Sequence, residues 1–106
     1  MRAVDLAIYA DTLAGEHAAL CARLEQARCR LREAAIEHDA RAHLGPRAVR
    51  ELESLGILGA IDERTARSEE RRLERALDAV AELQTWVEAR LAAGQEREEE
   101  RCVSAA

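Results

Sequence analysis

A chain of 106 residues is one domain by length, and a unit this small buries only a modest core, so association with further chains is a natural way to complete it. Glu, Arg, Ala and Leu dominate, Phe, Lys and Asn are absent, and Tyr9 and Trp86 are the only aromatic residues, a balance that suits long helices and excludes a β-rich fold. The net charge of −5, with acids interleaved among Arg, argues against a chain whose main task is neutralising phosphates, so nucleic acid is not the expected partner.

The amino-terminal stretch MRAVDLAIYADTL carries Asp5 and Asp11 inside its apolar run, unlike a secretory signal, and no apolar run approaches the roughly 18 residues of a membrane span. A cytoplasmic protein without membrane contact is expected. From about Ala3 to His43 the sequence predicts one long helix. Leu6, Leu13, Leu20, Leu24 and Leu31 share one face, and Ala10, His17, Ala27, Ala34 and His38 fill the same stripe. At about 1.5 Å per residue such a helix is too long to be buried inside a hundred-residue globule, so it must pair with something.

Leu44-Gly45-Pro46 should end that helix, with Gly45 in a left-handed C-terminal position and Pro46 opening a second helix at its first residue. The second helix is expected from Pro46 to about Leu55, stopped by Gly56. Ile57 to Ile61 is too short and too glycine-broken for a helix and reads as an apolar plug. Together with Leu44, Val49, Leu52 and Leu55 it should form a small core of its own.

Asp62 is a plausible N-cap for a third helix, with Ser68 as a later alternative. Its stripe is Ala66, Leu73, Ala76, Leu77, Val80, Leu83, Val87 and Leu91, and Gly94 should close it. Residues 1–94 then form the helical domain, and residues 95–106 form a charged, disordered tail that contains Cys102. Packed as an antiparallel hairpin, the two long stripes would match Leu13 with Leu91, His17 with Val87, Leu24 with Val80, Ala27 with Leu77, and Leu31 with Leu73.

Opposite Leu20, the first helix presents Val4, Gly15, Ala18, Ala22, Cys29, Ile36 and Ala40. Small side chains at successive turns allow close approach of another helix. The expected assembly is therefore a homodimeric four-helix bundle with Ala18, Ala22, Cys29 and Ile36 at the dimer interface. Trp86, off the main stripe beside Ala79, Leu83 and Arg90, is a candidate contact for a further protein.

No catalytic residue and no cofactor is expected. Three Cys are odd in number and lack the paired spacing of a zinc site or a disulfide framework. His17, Cys21 and Glu25 follow one another at helical spacing and define a metal- or redox-responsive alternative. Glu33, Glu37 and His38 lack the Glu-x-x-His spacing of di-iron bundles, and His38 reads as a partly buried packing residue. Seven Arg between positions 23 and 50 (Arg23, Arg28, Arg30, Arg32, Arg41, Arg47, Arg50) define a second alternative, a nucleic-acid-associated regulator. The favoured function is protein–protein association by a small scaffold, adaptor or regulatory subunit.

Overall fold

The computed structural model describes the backbone of residues 2–105 and the side chains of residues 2–94. Among these residues the protein is all-helical: α1 is Ala3–His43, α2 is Pro46–Ser54 and α3 is Glu63–Ala105.

The helix boundaries have local causes. Pro46 starts α2 because its missing N–H is one that a first helical turn leaves unbonded in any case. Gly45 is the N-cap of α2, with φ −68° and ψ 154°, and is not left-handed as its residue type suggests. The residue before proline is pushed into the extended region by clash with the proline ring, and that restriction overrides glycine's freedom. Gly56 is the left-handed residue, with φ 72°. It closes α2 in a Schellman arrangement, with the N–H of Ile57 donating to the Leu52 carbonyl at 3.0 Å and that of Gly56 to Glu53 at 3.1 Å. Asp62 opens α3: its carboxylate accepts from the Thr65 N–H at 3.2 Å and from the Thr65 hydroxyl at 2.7 Å. The later start at Ser68 is not used.

At the other end α3 does not stop at Gly94 but continues to Ala105. A lone glycine removes no hydrogen bond from a helix and only weakens it, and no proline follows to enforce a stop. The expected solvated tail falls on side chains outside the described residues.

Two compact units make up the chain, Met1–Leu20 with Arg75–Ala106, and Cys21–Glu74. In the first, Leu6, Leu13 and Val87 form a buried cluster with Ala10, Leu83 and Leu91 packed against it. Val87 is 1% exposed. Leu13 and Leu91, matched with one another in the expected register, share this cluster with it.

In the second unit Leu24, Ala27 and Ala34 of α1, Leu58 of the connector, and Ala66 and Leu73 of α3 are buried. Along α1 the inward positions in this unit alternate in steps of three and four, Leu24, Ala27, Leu31 and Ala34, as in a coiled coil. Past Ala34 the half-buried positions are Glu37 and Ala40, and His38 is exposed. The expected stripe fails at His38 because the connector packs to one side of it. The Gly59 N–H donates to Glu37 Oε2 at 3.4 Å, and a Cβ on Gly59 would come within 3.2 Å of the Arg41 guanidinium. Ala40, expected on the outer face, is likewise half-buried.

The expected connector core is smaller than the sequence suggests. Leu58 alone of its members is buried; Val49, Leu52 and Ile61 are half-buried, and Leu44, Leu55 and Ile57 are exposed. With nine residues, α2 has too few positions to cover them all.

Candidate functional site

The outer side of α1 in the second unit repeats the coiled-coil spacing of its inner side. Ala22, Glu25, Cys29, Arg32 and Ile36 follow one another in steps of three, four, three and four, so they form one stripe. Every member is exposed, and Ile36 reaches 68%. The side chains already meet along the stripe. Arg32 donates to Glu25 Oε1 at 2.7 Å and to Cys29 Sγ at 3.2 Å. The hydrogen bond to Glu25, reinforced by the guanidinium charge, holds the Glu25 carboxyl below the usual carboxylate range.

Of the four expected interface residues, Ala22, Cys29 and Ile36 lie in this unit and Ala18 lies in the other, and all four are exposed. The first unit carries its own outward apolar residues, Val4 at 68% and Ile8 at 61% exposure. Scattered apolar exposure is ordinary on a protein surface; here Ala22, Cys29 and Ile36 recur one heptad apart on the side of the helix turned away from its core, with the charged Glu25 and Arg32 between them. A search of the sequence for small and apolar residues alone misses Glu25 and Arg32 as members of the stripe. Their seven-residue separation was the available signal.

Four of the seven Arg of the middle segment are paired within the chain, Arg32 with Glu25 as above. Arg23 pairs with Glu69 at 2.8 Å, Arg28 with Glu70 at 3.5 Å and Glu74 at 3.4 Å, and Arg41 with Glu53 at 3.7 Å. Glu69 and Glu70 are half-buried, and the α1 arginines Arg23 and Arg28 meet their charge. Among the described residues Arg30, Arg47 and Arg50 make no ion pair.

For the metal alternative, His17 is half-buried and Cys21 exposed, and the third ligand such a site would need, Glu25, is bonded to Arg32 instead. Among the described residues no group of three His, Cys, Asp or Glu is placed to hold a metal ion. A shallow cavity of about 400 Å³ in the second unit is lined by Arg30, Glu33, Ala60, Ile61, Asp62, Thr65 and Ala66. Both carboxylate oxygens of Asp62 there are occupied by Thr65.

Trp86, in the first unit, is 47% exposed. The Arg90 guanidinium lies over its ring, 5.3 Å from the centroid, as a cation–π partner. No helix is long and apolar enough among the described residues to cross a membrane. No known protein family, characterised protein or solved structure matches the chain.

Proposed function

We propose that this protein is a non-enzymatic protein–protein interaction module, a small scaffold, adaptor or regulatory subunit, in which α1 and α3 form an antiparallel hairpin and two copies join through the outer face of α1 as a four-helix bundle. The observation that carries this reading is the exposed stripe on the side of α1 opposite its core, in which Ala22, Cys29 and Ile36 recur one heptad apart with Glu25 and Arg32 between them. Pairing through this face would give the apolar members of the outer stripe a place out of water, as the inner stripe has within the chain. The pairing of Arg23, Arg28 and Arg41 with acids of the same chain favours this reading over nucleic-acid binding, since those charges are already met. Trp86 is the side chain offered to a further protein, because a half-exposed indole supplies a large contact area at little entropic cost.

The test is the mass in solution by light scattering after size exclusion, under reducing conditions, for the native chain and for Cys29→Arg. The expected result is a native dimer and a helical monomer for the variant, because a buried guanidinium without a partner is not tolerated in a helix–helix seam. A native monomer would refute the dimer.

A further inference from the structure

The outer stripe of α1 reads as its own complement when reversed. Ala22 precedes Cys29 by seven residues and Ile36 follows it by seven; Glu25 precedes it by four and Arg32 follows it by three. A two-fold axis through Cys29, perpendicular to the helix, therefore lays Ala22 opposite the partner's Ile36. It also sets Glu25 within about 1.5 Å, one residue's rise, of the level of the partner's Arg32. Small meets large and acid meets base, twice each, about a central thiol. A parallel pairing of the same stripe does the reverse. It sets Glu25 against the partner's Glu25 and Arg32 against the partner's Arg32, stacks isoleucine on isoleucine and leaves alanine opposite alanine.

We infer that the occupant of this face is a second copy of the chain running antiparallel, with the molecular two-fold at Cys29 and the Glu25 and Arg32 charges shared between the two helices. The inference rests on the proposed dimer and specifies its orientation and register. The intrachain bond from Arg32 to Glu25, which passes Cys29 on its way, shows that both side chains already lie along the stripe at the level where the second helix arrives. Cys29 is small enough to let the helix axes approach at the two-fold, and Ala22 leaves the space that the partner's isoleucine fills.

Engineered disulfides in the full chain test the geometry. With Cys21→Ser and Cys102→Ser, the native Cys29 should join its counterpart under mild oxidation by diamide. With all three cysteines replaced by serine, the Ala22→Cys and Ile36→Cys chains should each fail to cross-link alone and should cross-link to one another when mixed. Two copies of either position are about 21 Å apart in the antiparallel arrangement, well beyond the reach of about 7 Å between Cα atoms that a disulfide allows. Glu25→Arg should weaken association about tenfold, and adding Arg32→Glu should restore it. A chain that is dimeric by mass but cross-links Ala22→Cys to itself, or gives no mixed product, would overturn the antiparallel register and leave the dimer standing. A chain that is monomeric by mass would overturn both. Circular dichroism of each variant checks that the helices remain, and these exposed positions tolerate the changes.

Discussion

Asp62 fixes where α3 begins. Its carboxylate is held below the ordinary aspartate range first by the Thr65 hydroxyl and then by the Thr65 backbone N–H, both of which bond the charged form. A depressed folded-state value means that the charged cap contributes stability above the unfolded aspartate value of about 3.9, and that this contribution is lost as pH falls through the folded value. Asp62→Ala is therefore expected to lower the thermal midpoint at pH 7, and the gap from the native chain should narrow as melts are repeated below about pH 4. A gap that stays constant with pH would mean that the carboxylate charge is not what caps the helix. Gly56 is the second residue with a defined local task. Its φ of 72° is a conformation that costs other residues about 1 to 2 kcal/mol, so Gly56→Ala should destabilise the chain by about that amount in urea melts. Nothing lies within 4 Å of the added methyl, which leaves the backbone as the sole source of the loss.

Among the elements, α3 distinguishes local signals from those that the sequence leaves ambiguous. Gly94 resembles a helix end by residue type, yet α3 runs through it, and a methyl group added there would meet nothing within 4 Å. Gly94→Ala should accordingly stabilise the chain by about 0.5 to 1 kcal/mol and raise its helicity, whereas a left-handed cap at that position would make the same change destabilising. The inner stripes of α1 and α3 are legible in the sequence because burial repeats with the helical period, and the Pro46, Gly56 and Asp62 boundaries because each has a local cause. The register is not legible. A slip of one heptad returns the apolar residues to the seam, so periodicity alone does not encode which residues of the two helices face one another. His38 departs from expectation for a related reason: the period alone carries the stripe past Ala34, where the Gly59 turn, far away in sequence, decides which side of α1 is covered. On the outer face, Ala22, Cys29 and Ile36 can be read from size and spacing. Glu25 and Arg32 are hidden because charged residues on a helix are ordinarily solvated.

For the whole molecule, the decisive question is whether the second stripe of α1 is an interface. A single chain leaves Ile36, Cys29 and Ala22 in water, while its buried residues are mostly alanine and leucine at modest number, as expected of a unit that finishes its core by association. Equilibrium sedimentation of the native chain and of Ile36→Arg, across a wide range of concentrations under reducing conditions, separates a paired stripe from a solvated one. If the stripe is paired, the native chain approaches twice its 11.7 kDa mass, and Ile36→Arg, with its helicity intact, sediments as a single chain throughout. A native chain that stays at 11.7 kDa at every concentration, or an Ile36→Arg chain that dimerises as the native one does, would contradict the interface.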